Sequence, residues 1–331
     1  MPATIRPATP EDIPAMVELL LADARERDAE DALLWDMAED AASRVQKAVT
    51  SALTAEAQPF RQFWQVAADG ERIVGLIHSM LLPVPPIYAG AEGMPGLILP
   101  DSFAVSEAPE GTVDALVEAA QAMLREAGAR ILLASFVAGP DWQAAFEAQG
   151  YEPLTLYLSR SDLGDRGRPS EVRPATEADV PGIVARSAEN RAVLFDIDRS
   201  WGVHPEADTR FDAWMRRSLG LPDRDMLVMG ETGDLKGYVI AQPASRLHFP
   251  PAHDINGTGV IDDFYHPDFA DPNALANHGA GAMALLRAAE AAFAERGTGT
   301  AFVVCPAGWR SKIELLEAAG YETAMVWSIK R

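Results

Sequence analysis

The sequence predicts an α/β (α+β) protein built from two tandem copies of one domain. Each copy is expected to be a mixed, mostly antiparallel sheet flanked by helices on both faces. Three observations lead there. Arg6-Pro7-Ala8-Thr9 returns as Arg173-Pro174-Ala175-Thr176, and Trp142 returns as Trp309 at the same offset. Both copies end in the same way, with a strand, an amphipathic helix, a Gly-Tyr pair (Gly150-Tyr151, Gly320-Tyr321) and a last strand. Between Gly259 and Ala292 the chain reads as strand, glycine-bearing loop and helix. Matches at the start, middle and end of so long a period indicate a duplicated domain, not a solenoid.

The elements follow in order. Thr4 to Leu20 reads as a short strand and then a helix. Thr9 stands at the N-cap, Pro10 at the first helical position, and Glu11 and Asp12 near the positive end of the helix dipole. The pattern Met37, Ala41, Val45, Val49 predicts a long helix over Trp35–Thr54. Phe63 to Ala67 and Ile73 to Leu82 read as strands joined by Asp69-Gly70, a hairpin turn. In the second copy Arg210 to Leu219 is helical, and Met226 to Gly230 and Lys236 to Gln242 form the equivalent hairpin. Each copy continues with a central strand, helix, strand, helix and strand, which implies helices on both sides of a mixed sheet. The expected boundaries are 1–160 and 171–331, with 161–170 as a Gly-, Pro- and charge-rich linker.

Composition is that of an ordinary globular chain, 48% hydrophobic and 23% charged. Uncharged apolar runs such as Ile131 to Pro140 fall far short of the ~20 residues that span a bilayer. Glu11 and Asp12 lie where a signal peptide would need a basic and then an apolar stretch. The single Cys305 excludes an intramolecular disulfide and a cysteine-cluster metal site, so a cytoplasmic address is expected. A net charge of −21 argues against nucleic acid or an anionic membrane as partner. The first 165 residues carry 26 of the 49 acidic side chains but 10 of the 28 basic ones, so the first half repels a polyanion more strongly.

The loop Asn277-His278-Gly279-Ala280-Gly281 opens a helix that runs on through Met283, Leu285, Leu286 and Ala289. Free backbone N–H groups and the helix dipole there suit a phosphate, whereas packing alone would also select glycines in a tight turn. Together with Arg-Pro-Ala-Thr-x-x-Asp, the strand Ile261-Asp262-Asp263-Phe264-Tyr265-His266-Pro267 and the Leu-x-x-x-Gly-Tyr turn, this order resembles the GNAT superfamily of acyl-CoA-dependent N-acyltransferases, here as a tandem pair covering nearly the whole chain. The resemblance implies an N-acetyltransferase that moves an acetyl group from acetyl-CoA (coenzyme A) to an amine by direct attack. The acceptor would be a small molecule or an exposed amino group, and no metal would take part.

The family carries Q/R-x-x-G-x-G/A after its central strand. Ala276 to Gly281 matches with Ala276 at the first position, and the segment from Asp268 to Leu275 is longer than usual. Implied cofactor contacts are Phe264, Tyr265 and His266 on the strand, and Asn277, His278, Gly279, Ala280, Gly281 and Ala282 in the loop. In the first copy the strand Leu97 to Ser106 contains Pro100, a sign of a bulge or an edge. Its loop keeps one glycine and adds Glu110, which implies a degenerate copy.

Amine acylation needs a base, a stabilised oxyanion and a proton for the leaving thiolate. Asp262 or Asp263 is the candidate base; neighbours on a strand point to opposite faces, so one of them would face the cleft. His266 is either a proton shuttle or the variable residue before Pro267. The family's acid tyrosine is replaced by Leu316, leaving Tyr265, Ser311 or water for that role. Trp201, Phe211, Trp214, Arg191 and Arg199 precede the hairpin, where the family builds its acceptor pocket. No metal-binding spacing exists among His78, His204, His248, His253, His266 and His278. The alternative of another class is a non-catalytic acyl-CoA-binding or regulatory module. A dinucleotide oxidoreductase is opposed by the absence of a third glycine.

Overall fold

A computed structural model describes the chain except for Met1, Asp165, Arg166 and His248 and the side chains of Pro140 and Asp141. Two residues of the expected linker, Asp165 and Arg166, and one of the six histidines thus lie outside the described residues.

The first copy contains β1 (Thr4–Pro7), α1 (Ile13–Glu30), α2 (Ala41–Thr54), β2 (Gln62–Asp69), β3 (Arg72–Leu81), β4 (Pro95–Ile98), β5 (Phe103–Ala104), α3 (Thr112–Glu126), β6 (Ile131–Val137), α4 (Pro140–Ala148) and β7 (Glu152–Arg160). The second contains β8 (Val172–Pro174), α5 (Val180–Ile197), α6 (Ala207–Ser218), β9 (Asp225–Glu231), β10 (Asp234–Pro243), β11 (Thr258–Ile261), β12 (Phe264–Tyr265), α7 (Ala280–Glu295), β13 (Thr300–Pro306), α8 (Arg310–Ala318) and β14 (Glu322–Lys330).

The repeated Arg-Pro-Ala-Thr start is a structural lock. Arg6 donates two hydrogen bonds of 2.7 Å to the Asp12 carboxylate, which also accepts from the Thr9 amide and hydroxyl. Arg173, Thr176 and Asp179 repeat the arrangement, with Thr232 added. Strand and helix are thereby joined through one capping carboxylate. The Arg6 fork holds the Asp12 carboxyl down to about 2. Its stabilisation is therefore present above the ordinary aspartate pKa and is lost as pH falls from about 4 to 2. Arg6 is two-fifths exposed, so solvent screening limits the effect to about 1–2 kcal/mol. Denaturant melts of Asp12→Asn and the parent should converge near pH 2; a gap that persists there would refute this account.

One sheet runs through the molecule in the order β1-β2-β3-β4-β6-β14-β7-β13-β11-β10-β9-β8, with β5 beside β3 and β12 beside β10. The last strands are exchanged. The second copy's β14 lies between the first copy's β6 and β7, and β7 pairs with the second copy's β13. A single apolar cluster at the junction draws on both copies, with Trp35, Leu133, Tyr157, Phe249, Phe302, Met325 and Trp327 among its members. Helices α5 and α7 pack against the β9–β10 half of the sheet.

Two expectations are corrected. The helix over Trp35–Thr54 starts at Ala41. Residues 35–38 instead bond to the second copy: Ala38 N donates to Ala252 O, Asp254 N to Asp36 O, and the Trp35 carbonyl meets His253 Nδ1 at 2.8 Å. The central strand expected to be continuous through Ile261–Pro267 breaks at Asp262-Asp263. β10 pairs Gln242 with Val260 but Val239 with Phe264, so the second strand carries an extra residue and bulges. In the first copy the same break falls at 99–102, where β4 and β5 both pair with β3; Pro100 therefore marks a bulge and not an edge.

Candidate functional site

A cavity of about 1060 Å³ lies between the copies. Its floor is the Asp262-Asp263 bulge, its walls are α5, α6 and the strands β6, β7 and β14, and its roof is the first copy's segment 82–95. Pro83, Pro85 and Pro86 carry no N–H groups to leave unpaired, and the segment turns at Pro85, where Tyr88 N donates to Pro85 O at 3.0 Å. It is fastened to the second copy: Ala89 N donates to Gly202 O at 2.7 Å, His204 N to Ile87 O at 3.0 Å, and an Arg210 guanidinium N–H to Pro86 O at 2.7 Å. Tyr88 packs on Trp201, ring centres 5.2 Å apart.

The two aspartates face the same cavity, contrary to the alternation expected of a strand, because the bulge breaks that alternation. Asp262 is accessible from within the cavity it lines, yet protein crowds it on its other sides. That crowding, and Asp263 beside it, push its carboxyl up to about 6. Gln242 Nε2 donates to it at 3.1 Å. Asp263 is also shifted upward by burial, partly offset by the Tyr238 hydroxyl, which donates to it, and by Lys312 and Arg191.

Lys312 is 3% exposed. Its ammonium donates to Phe264 O at 3.1 Å and lies 5.2–5.4 Å from the ring centres of Phe264, Phe269 and Trp309. Burial lowers its pKa, with Cys305 and the two aspartates pulling the other way. Sequence reasoning missed Lys312. The available signal was a lysine on the apolar stripe of α8, in line with Leu315, Leu316 and Ala319 and one turn before the position of the family's tyrosine. Tyr88 was also missed; its approach depends on contact between copies, and no local pattern encodes it.

The remaining expected residues divide clearly. Trp201, Trp214 and Arg191 line the cavity. Phe211 is fully buried in the core under Arg191, and Arg199 stacks on Phe195. Tyr265 packs in the core and Ser311 donates to Asp271 O, so neither reaches the cavity as a proton donor. Leu316 and Tyr321 are core residues. Cys305 is fully buried away from the cavity, and burial raises its thiol to about 12. Among the described residues no group of three or more His, Cys, Asp or Glu side chains could hold a metal. Likewise no described helix is long and apolar enough to cross a membrane.

The loop ahead of α7 is already engaged with the chain itself. Gly281 N and Ala282 N both donate to Asp268 Oδ2, at 2.8 and 3.1 Å, and Asn277 Nδ2 donates to Oδ1 at 3.1 Å. Asp268 is 2% exposed. A protein carboxylate thus occupies the amides expected to meet a pyrophosphate. Gly281 is required by packing, since a Cβ there would stand 2.3 Å from the His266 ring; a Cβ on Gly279 would meet Leu315 at 2.7 Å.

His266 has its pKa lowered by burial and accepts from Asp268 N through Nδ1. His278 is exposed, and Ala280 begins α7. The long segment after Pro267 is tied down to the start of α8: Trp309 Nε1 donates to Phe269 O, and Ser311 N to Pro272 O. Lys312 takes the Phe264 carbonyl of β12. As folded here, these residues do not fit a coenzyme A pyrophosphate. In the first copy Gln149, ending α4, donates to Asp114 O in the first turn of α3, so those two helices meet directly.

The chain has the fold of the GCN5-related N-acetyltransferases, present as a tandem pair. It aligns with a GCN5-related N-acetyltransferase from Sphaerobacter thermophilus over 99% of this chain and 95% of that one, at a TM-score of 0.56 and 16% identity. The glucosamine N-acetyltransferase region of a fungal multi-domain β-N-acetylglucosaminidase gives a TM-score of 0.52 at 16% identity, covering 100% of this chain and 38% of that one. A tandem GNAT protein from the clavulanic acid biosynthesis pathway aligns over 99% and 98% of the two chains at a TM-score of 0.48 and 17% identity. At these identities the likeness is one of fold. No family model and no curated protein matches the sequence.

Proposed function

We propose that the protein acylates an amine held in the inter-copy cavity, with Asp262 removing the amine's proton. The observation that carries this reading is the pair of carboxylates on one bulge at the cavity floor, where desolvation and the neighbouring Asp263 push the Asp262 carboxyl up. Such a group binds an ammonium at neutral pH and is basic enough to take its proton during attack. Asp263 accepts from Tyr238 and is faced by Lys312 and Arg191, which offset part of the cost of burying its carboxylate. Residues 171–331 carry the chemistry in this reading, and residues 1–160 supply the roof. Acetyl-CoA is the acyl donor the fold suggests, and a cytoplasmic address suits it. The loop at Asp268 does not fit that donor in the present conformation.

The engaged amides favour a second reading, in which the cavity binds an amine without turnover. Thiol release from acetyl-CoA with a panel of amines separates the two. Acylation predicts release with an acid limb near pH 6, reduced ~10²–10⁴-fold in Asp262→Asn. Asp263→Asn should keep more activity, because the amide can still accept from Tyr238. Amine binding with no release at any pH would leave the second reading standing.

A further inference from the structure

We propose that the cavity selects an amine carried on a large apolar body, and that the first copy's segment 82–95 is the wall that selects it; the amine rests on the function proposed above. A volume of about 1060 Å³ lies at the upper end of the roughly 300–1,000 Å³ of drug-sized ligand sites, far more than a short alkylamine fills. Trp201, Trp214, Tyr88 and Tyr157 supply aromatic faces around it. Such faces bury an apolar body and leave few hydrogen bonds to satisfy.

The charges beside the two aspartates leave room for one cation. Arg191 on the wall is paired with Asp208, Arg210 with Glu206 and Glu92 with Arg331. Arg217 also lines the cavity but is not among the cations acting on either aspartate. Lys312 is the buried ammonium facing Asp262 and Asp263, so two carboxylates face one fixed cation. A second, independent sign is Asn190, which lines the cavity and is 8% exposed. Its carboxamide oxygen accepts no hydrogen bond within the protein. An ammonium would supply both the missing charge and a donor for that oxygen. Tyr88 reaches this region from the other copy; its phenol is raised by burial and then by Asp263. The roof therefore meets the same ligand as the floor.

Calorimetry on the full chain with tryptamine, 3-ethylindole and ethylamine tests the proposal. Tryptamine should bind at least about tenfold more tightly than either of the others, since each lacks one half of the recognition. Asp262→Asn should weaken tryptamine about tenfold and change 3-ethylindole less than twofold. Tyr88→Ala should weaken both aromatic compounds several-fold. Equal binding of tryptamine and 3-ethylindole overturns the role of the amine, and equal binding of tryptamine and ethylamine overturns the apolar body. Failure of both aromatic compounds to bind overturns the whole. Binding is read without an acyl donor, so these outcomes are separate from the thiol-release result.

Discussion

Ending the chain at Tyr321 is expected to abolish cooperative folding of both copies, and not merely to trim the second. The truncation removes β14, the strand hydrogen-bonded to β6 on one side and β7 on the other. Met325, Val326, Trp327 and Ile329 are each less than 9% exposed and pack in clusters shared with the first copy. At about 1.5–3 kcal/mol for each buried side chain, their loss rivals the ~5–15 kcal/mol that holds a typical domain together. One compensation is available: β7 could move across to pair with β6. It would then abandon β13, with which it pairs from Thr155 to Arg160, and expose that edge. Circular dichroism melts of residues 1–321 decide the matter. A single cooperative transition within a few degrees of the full chain would show that the exchange is dispensable.

Replacing Asp268 with alanine should have two opposite effects on one measurement. The carboxylate is the acceptor for two amides at the start of α7 and for Asn277, in a place 98% closed to solvent. Its removal strands buried donors, an expected loss of about 2–4 kcal/mol. The same change frees the helix end for an anion. Inorganic pyrophosphate should therefore raise the melting temperature of Asp268→Ala well above its effect on the parent, by linkage. Intrinsic destabilisation dominates without ligand, and rescue appears only at saturating anion. Equal response of parent and variant would mean that the amides are not the anion site. A Gly281 substitution is a poor substitute test, because any side chain there collides with His266.

Local chemistry was legible from the sequence. Asp69-Gly70 forms the expected hairpin turn, with Gly70 at φ +61°. The Arg-Pro-Ala-Thr start carries the pattern of a strand and a helix cap, and the bonds to Asp12 and Asp179 explain why it repeats. The positions of Gly279 and Gly281 stand out in the sequence, but what selects them does not. A glycine selected by a ring from another turn looks the same as one selected by a phosphate. The excess length of Asp268 to Leu275 was visible as well. That this segment carries the carboxylate closing the loop depends on a contact between Asp268 and Gly281 that no periodicity records. The alternation rule failed at Asp262 and Asp263 because one extra residue in a strand is invisible until its partner strand is known.

The sequence by itself determined the duplication, the order of strands and helices within each copy, and the stretch carrying the paired carboxylates. Tertiary structure alone decided which copy each final strand joins, where the cavity lies, and what faces Asp262 and Asp263 across it. The physical reason lies in the repeat. β7 and β14 follow the same helix and the same Gly-Tyr turn, so either can satisfy the local pattern at either place. The exchanged pairing is supported by a shared core that includes Tyr157, Phe302, Met325 and Trp327, and that core exists only once both copies have met.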